Sequence, residues 1–400
     1  MSDTWIKPRH RAFRNFAAAV VAPFMRHNYG IKVQPFAGQG DRPYLILYNH
    51  QTTMDQCFMG MAVQGAVYHV ATEDIFSGGL VSSLLRYFLA PIPIKKGTLD
   101  INAVRSIMKV AKEGGTIAMA PEGNRTFSGR TEYINPAVTK LIRRLRLPIA
   151  LFRIEGGYGV QPRWSNVNRK GTMTAGVSQV IEPEEYAAMT DDELYEAITT
   201  GLYVDEARPT GEYRHKQLAE FIERMVYVCP DCGFAEFESH GDIVRCRSCG
   251  REVRYLPDKR LEGVGAEFPF AYAADWYDYQ KDYVNSLNEE LFTGEPLFRD
   301  KARIFNVIVY KRKELITKDA GIALFGDKLG IDFDGEHMDL PFEDISGIAV
   351  LGHNRVNIYH HDVVWQLRGD DRFNGLKYVN LYYRWKNIKE NDPDGKFLGL

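Results

Sequence analysis

Between Tyr44 and Ile154 the chain alternates short apolar runs with amphipathic stretches, an order few folds accept. Tyr44-Leu-Ile-Leu-Tyr48, Thr116-Ile-Ala-Met-Ala120 and Pro148 to Ile154 are brief and almost wholly apolar. Runs of that length and character are strands buried on both faces. Between them, Asp55 to Val70 reads as a helix entered near Thr52 or Thr53. Asp100 to Lys112 carries Ile101, Val104, Ile107, Met108 and Ala111 at helical spacing, and Gly114-Gly115 stops it. Ala137, Val138, Leu141, Ile142 and Leu145 share another helical face, while the prolines of Pro91-Ile-Pro-Ile94 suit an edge strand. Strands alternating with helices predict an α/β domain with a mainly parallel sheet covered on both sides. Asp191 to Thr199 and Glu212 to Met225 read as helices that close it.

The pattern then changes twice. Residues 257–300 are aromatic and acidic, with Trp276, Tyr277, Tyr279 and Tyr283 clustered, and read as a helical linker. From Lys301 the apolar residues fall in short strands broken by Gly-Asp, Asp-Gly and His-Asp turns, and a helix with Tyr378, Leu381, Tyr382 and Trp385 on one face follows. This predicts a small β-rich barrel or sandwich, weakly similar to pleckstrin-homology or GRAM-like domains. His353, His360 and His361 fall in its turns and read as solvated. The expected division is a basic helix over 1–30, an α/β domain over 31–225, a cysteine segment over 226–256, the linker over 257–300 and the β-rich domain over 301–400.

Charge is uneven although the net value is only −2. Met1 to Gly30 has one acid, Asp3, against Lys7, Arg9, Arg11, Arg14 and Arg26. From Lys95 to Lys170 bases outnumber acids about three to one, and Glu182 to Glu206 has no Lys or Arg. A basic front half suits anionic substrates or an anionic surface. With Trp5, Phe13, Phe16, Val20, Val21 and Phe24 among its arginines, residues 5–28 form an amphipathic helix suited to a membrane interface or to packing on the next domain. Pro23 interrupts the apolar core a secretory signal would need, and no run reaches the roughly 18 apolar residues of a spanning helix.

Five cysteines are present. Cys229-Pro-Asp-Cys232-Gly and Cys246-Arg-Ser-Cys249-Gly form two knuckles, and Cys57 stands apart as a small apolar residue. Four thiolates so spaced satisfy tetrahedral zinc in a closed, structural ribbon, one ion per chain. A redox pair or an iron–sulfur centre is the alternative. Arg245, Arg247, Arg251 and Arg254 face Asp231, Glu236, Glu238, Asp242 and Glu252, so the ribbon has no basic surplus and no nucleic-acid partner is expected.

The first strand runs into Asn49-His50-Gln-Thr-Thr-Met-Asp55. Across a tight strand–helix turn, Asp55 can hold one nitrogen of His50 while the other takes a proton from a hydroxyl. Spacing alone equally fits a structural histidine. The Thr116–Ala120 strand ends in Pro121-Glu122-Gly123-Asn124-Arg125-Thr126, where open α/β sheets place ligands. Gly123 lets backbone approach closely, Arg125 offers a phosphate fork, and Glu122 can orient it or hold a hydroxyl. Lys95 and Lys96 bring two more cations to a strand end.

Asn-His-x4-Asp, a basic residue after a short strand, Pro-Glu-Gly-x-Arg and Leu147-Pro148-Ile149, in that order, resemble the PlsC-type glycerolipid acyltransferases over about residues 10–225. The resemblance implies that His50 is a general base oriented by Asp55, acting on an acceptor hydroxyl that attacks the thioester of acyl-CoA or acyl carrier protein. It implies that Glu122, Arg125 and Lys96 bind a phosphate-bearing acceptor, with no covalent acyl-enzyme and no catalytic metal. The family's second motif usually carries arginine where Lys95 and Lys96 stand, and Asn124 replaces a threonine. The expected protein is a peripheral enzyme on the cytoplasmic face of a membrane, acylating 1-acylglycerol-3-phosphate to phosphatidic acid. Another lysolipid or a non-phosphate acceptor, or a non-catalytic lipid-binding scaffold, are the other readings.

Overall fold

Strand β2, Leu45–Tyr48, lies at the centre of a seven-stranded sheet and is buried at every position. In this computed structural model, which describes residues 4–95, 100–292, 294–308, 310–392 and 395, the chain forms two compact units. The first holds the described residues of Met1–Lys95, Leu99–Pro162 and Asn168–Glu206, and the second contains Arg163–Val167 and the chain from Ala207 onward.

The first unit runs α1 (Pro8–Tyr29), β1 (Ile31–Val33), β2, α2 (Asp55–Ala62), β3 (Val67–Thr72), α3 (Leu80–Leu89), β4 (Ile92–Ile94), α4 (Ile101–Lys112), β5 (Thr116–Met119), α5 (Ala137–Leu145), β6 (Ile149–Glu155), α6 (Gly157–Val160), β7 (Met173–Ile181), α7 (Pro183–Ala188) and α8 (Asp191–Leu202). The sheet order is β1-β7-β6-β2-β5-β3-β4. Strands β2 to β6 are mutually parallel, β4 is an edge, and β7 runs antiparallel to β6. The alternation of strand and helix therefore yields the expected mainly parallel sheet. Leu45 and Leu47 meet Ile107 and Val110 of α4, Ile142 of α5 and Ile198 of α8 on one face. Ile46 and Tyr48 point to the other face and are equally buried, which is why β2 shows no polar alternation.

The connection from β2 to β3 passes over β5, which is inserted later from α4. This leaves the C-terminal ends of β2 and β5 side by side at a point where the winding reverses, the place where such sheets open a crevice.

Two predicted helices are corrected. Asp55 to Val70 splits at Gly65, which takes a left-handed φ of 82°, and Val67 onward forms β3 beside β5. Glu212 to Met225 holds only a 3-10 turn, Ile222–Arg224, because Glu220 and Glu223 turn their carboxylates to Arg372 and Phe221 adopts φ +73°. A helix cannot hold that conformation and those tertiary partners together.

The second unit opens with β8 (Val228–Cys229), β9 (Gly233–Phe234), β10 (Phe237–His240), β11 (Ile243–Cys246), β12 (Glu252–Tyr255) and β13 (Leu261–Val264). Helix α9 (Ala273–Ser286) follows and buries Trp276 and Tyr277. The remaining strands are β14 (Phe298–Asn306), β15 (Glu314–Leu324), β16 (Lys328–Phe333), β17 (Glu336–Pro341), β18 (Ile345–Leu351), β19 (Arg355–His360) and β20 (Val363–Arg368), closed by α10 (Leu376–Glu390). They form one antiparallel sheet in the order β17-β16-β15-β14-β20-β19-β18. Tyr378, Leu381 and Tyr382 of α10 are buried, as the stripe read from the sequence requires.

Candidate active site and cysteine cluster

Asn49 is the first residue beyond β2, and its side chain joins the neighbouring strand: it donates to the Ile154 carbonyl and accepts from the Ile154 amide, each at 2.8 Å. That clamp fixes where the chain leaves the sheet. The next residue, His50, places Nδ1 2.7 Å from Asp55 Oδ2. Asp55 is fully buried, and the His50 side chain keeps 20% exposure. The same carboxylate accepts the Gln51 amide at 2.8 Å, the Thr52 amide at 2.9 Å and the Thr52 hydroxyl at 2.7 Å. It also begins α2, where the helix N-terminus favours negative charge. Five residues of separation thus become one fixed unit, held by the backbone the carboxylate itself organises.

The Pro121–Thr126 loop is tied to this turn from several sides. Glu122 Oε1 accepts the His50 amide at 2.9 Å, and Oε2 accepts the Glu132 amide at 2.8 Å. The Thr126 amide donates to the His50 carbonyl at 3.3 Å. Arg125 donates from Nε to the Gln51 carbonyl at 3.3 Å and from a terminal nitrogen to the Gln161 carbonyl at 2.9 Å. Burial raises the Glu122 pKa to about 8, against the opposing pull of its two amide donors, and the nearby Glu132 and Asp55 charges add to the rise. Burial likewise lowers Arg125 to about 10, which leaves it charged at neutral pH. Gly123 has φ +74°, and a Cβ there would meet open space, so its backbone conformation rather than crowding calls for glycine.

The structure therefore brings His50, Asp55, Glu122, Gly123 and Arg125 to the adjoining ends of β2 and β5. Lys95 follows β4, is exposed, and donates its amide to Asp100 Oδ2 at 3.0 Å. Lys96 lies outside the described residues. Sequence reasoning named Asn49 within its motif without giving it a role, although a polar residue directly after an apolar strand is a signal, and it did not single out Gln161, which is distant in sequence and carries no such signal.

The cysteines meet in the second unit. The β8–β9 hairpin carries Cys229 and Cys232, Cys246 ends β11, and Cys249 lies in the turn after it. The sulfurs of Cys229 and Cys249 are 3.6 Å apart and those of Cys232 and Cys246 are 3.7 Å apart. All four lie within 4.8 Å of one another. Four thiolates around one ion at about 2.3 Å would stand roughly 3.8 Å apart, so the group fits a tetrahedral metal. Gly233 and Gly250, each directly after a knuckle, have φ +78°. Backbone N–H groups of Asp231 and Cys232 approach the Cys229 sulfur, and that of Arg251 approaches Cys249. Arg251 grips Asp231 through two nitrogens, at 2.6 and 3.1 Å, and so ties one knuckle to the other.

A histidine held by a buried carboxylate at the end of a parallel strand has the geometry with which an imidazole can take a proton from a hydroxyl. Residues 29–154 match the family model described as Acyltransferase, and the chain carries a domain of that family, as its motifs imply. Among solved structures, the chain is similar to the 1-acyl-sn-glycerophosphate acyltransferase PlsC from Thermotoga maritima, at 18% identity and a TM-score of 0.40, over 48% of this chain and 75% of that one. It is also similar to the C-terminal domain of an unknown protein from Leishmania infantum, at 14% identity and a TM-score of 0.18, over 24% of this chain and 91% of that one. The curated proteins give no match.

Proposed function

We propose that the first unit moves a fatty acyl group from acyl-CoA or acyl carrier protein to a glycerol-phosphate-type acceptor, with 1-acylglycerol-3-phosphate as the acceptor and phosphatidic acid as the product. The observation that carries this is the 2.7 Å contact between His50 Nδ1 and an Asp55 already held by three further donors. Asp55 fixes the tautomer and stabilises the imidazolium. His50 Nε2 takes the proton of the acceptor hydroxyl as its oxygen attacks the thioester carbonyl carbon. The C–S bond then breaks, and the imidazolium returns its proton to the departing thiolate. Arg125, Lys95 and Lys96 supply positive charge for the acceptor's phosphate, beside the backbone of Gly123. Both oxygens of Glu122 hold backbone amides, so its part is to position the His50 turn. Cys229, Cys232, Cys246 and Cys249 hold one zinc ion, a closed site that supplies folding energy and no chemistry at the acyl group. In the second unit, the seven-stranded antiparallel sheet and its closing helix support a barrel-like lipid- or protein-binding module of the pleckstrin-homology or GRAM kind.

The enzyme works at the cytoplasmic face of a membrane. No helix among the described residues is long and apolar enough to cross one. Helix α1 leaves Phe16, Val20 and Phe24 exposed, and α3, packed beside it through the Phe13–Phe88 ring stack, exposes Leu80, Val81, Leu84 and Tyr87. From Ile75 to Leu99 the sequence has no acid, and α1 has none either. Apolar side chains framed by cations match an anionic lipid surface. Binding to anionic vesicles is expected to weaken with salt and on Leu84→Asp; equal binding to neutral vesicles at high salt would contradict it.

The decisive experiment is release of free thiol from acyl-CoA across an acceptor panel: 1-acylglycerol-3-phosphate, glycerol 3-phosphate, lysophosphatidylcholine and monoacylglycerol. Thiol release with the phosphate monoesters is expected. Release only with monoacylglycerol would replace the acceptor, and no release with any of them would favour a lipid-binding scaffold.

A further inference from the structure

A third group of ligand-type side chains gathers at one end of the C-terminal sheet. Asp344 ends the short 3-10 turn before β18, His360 is the last residue of β19, and His361 opens the turn into β20. The β18–β19 ladder pairs Ile345 with His360. Asp344, one residue before that pair, and His361, one residue after it, therefore fall on opposite sides of the same ladder end. One nitrogen from each histidine and one carboxylate oxygen of Asp344 all lie within 4.8 Å of one another. The two imidazole rings stand 4.2 Å apart between centroids, tilted by 50°.

A first-row divalent ion bound at about 2.0–2.2 Å draws neighbouring nitrogen and oxygen donors to roughly 3–3.5 Å. Asp344 and His361 are exposed, so side-chain rotation alone can close that gap. The backbone points the same way. His360 pairs with Val363, which leaves His361 and Asp362 as a two-residue hairpin turn. His361 adopts φ +50° there, a conformation such turns usually give to Asn, Asp or Gly. The turn accounts for that conformation, and it sets His361 beside His360 at the end of the ladder; what a merely solvated histidine leaves unexplained is the meeting of both rings with Asp344.

We propose that Asp344, His360 and His361 form a surface site for a divalent transition-metal ion of the zinc–nickel–copper group. Two imidazoles and one carboxylate are the donor set these borderline ions prefer. The carboxylate offsets part of the ion's charge, and the solvent-facing positions take water. This site differs in kind from the cysteine cluster: it is exposed, has three donors, and releases its ion readily.

The test uses the full chain. Protein is first saturated with zinc and then dialysed against zinc-free buffer, so that the four-thiolate site keeps its ion and the three-donor site loses it. Equilibrium dialysis against nickel follows, with nickel and zinc counted separately by elemental analysis. One nickel per chain is expected above the retained zinc. His361→Asn suits the left-handed turn and removes the imidazole. It is expected to bind nickel about tenfold more weakly or worse, since even outer partners of a metal site change affinity 10–100-fold. Asp344→Asn, in a different element, should weaken binding in the same direction. Circular dichroism melting reports that each variant is folded. Absence of nickel on the wild type, or undiminished binding by either folded variant, would overturn the site.

Discussion

In the acyltransferase unit, Asp55 satisfies His50, Gln51 and Thr52 with hydrogen bonds drawn entirely from the chain. In the second unit, four sulfurs stand 3.6–3.7 Å apart in pairs, with backbone N–H groups turned toward them. Both groups are set by a turn beside a strand, yet they differ in what completes them. The His50 turn is finished by the protein, and its order belongs to the sheet ends that carry it. The cysteine group sets four sulfurs at the spacing of a tetrahedral metal's ligands, and under the proposed reading an ion completes it by taking the charge of the four thiolates. On that reading, a changed side chain at the first site is expected to cost function more than fold, and loss of the ion at the second is expected to cost fold.

The largest expected effect lies at His50. His50→Ala removes the base while every donor to Asp55 except the imidazole persists, so turnover should fall about 10²–10⁴-fold with the melting temperature little changed. Asp55→Asn should lose turnover to a similar degree and stability as well, because an amide NH2 must face either the imidazole and the Gln51 amide or the Thr52 donors. Leaving such buried donors without an acceptor costs about 1–3 kcal/mol. Thiol-release kinetics and thermal melting on the same samples separate the two. If His50→Ala keeps near-wild-type turnover, the histidine is structural and the contrast between the regions collapses.

Next in size is removal of the metal. Cys246→Ser, or a strong chelator, should abolish the bound zinc and lower the melting temperature of the second unit, since the binding energy of a structural zinc is folding energy. Turnover per folded molecule should change far less than in His50→Ala. Metal analysis and melting check this together. A fully folded, metal-free protein would show that the cysteines do not need an ion, and a folded variant without turnover would give the cluster a role at the acyl group.

What could be read from the sequence follows the same divide between local and distant determinants. The apolar strands Leu45–Tyr48 and Ile149–Glu155, and the motifs at their ends, were legible because each is contiguous and buried on both faces. The cysteine knuckles were legible because their spacing and their glycines are local. By contrast, β3 was absorbed into α2, since Val67-Tyr-His-Val fits either period and only its place beside β5 decides. The expected helix over Glu212 to Met225 gave way to Arg372, which engages Glu220 at 2.6 Å across 152 positions of sequence. Strand β17, Glu336–Pro341, escaped notice because an edge strand faces water and carries charged residues. Helix α3 escaped because its exposed leucines obey no core pattern. At the site, the residues of both motifs were named, and Glu122 was read as orienting Arg125 or holding the acceptor, but the two amides it accepts were not foreseen. Its two amide donors, His50 and Glu132, lie 72 and 10 residues away, and nothing in Pro-Glu-Gly announces them.

Glu122 gives the smallest effect and the sharpest one for the comparison, because it tests whether the His50 turn really is completed from within. Burial lifts its pKa from 4.5 to about 8, so between those values the folded protein holds a proton that the unfolded chain has released. Stability that depends on that proton is present below about pH 4.5 and is lost as pH rises toward 8. Glu122→Gln stays neutral throughout and keeps the shape, but one of the two amides then faces an NH2 group. In denaturant unfolding of the acyltransferase unit, the stability of the wild type relative to Glu122→Gln should fall steadily from pH 5 to pH 8. Turnover of the variant should drop by less than in His50→Ala, through kcat, with the acceptor KM nearly unchanged, because the carboxyl holds the His50 amide and not the substrate. A parallel pH dependence in the two proteins would mean that the carboxyl is ionised throughout. A rise confined to the acceptor KM would mean that Glu122 meets the acceptor directly, and the turn would then be completed by substrate rather than by the chain.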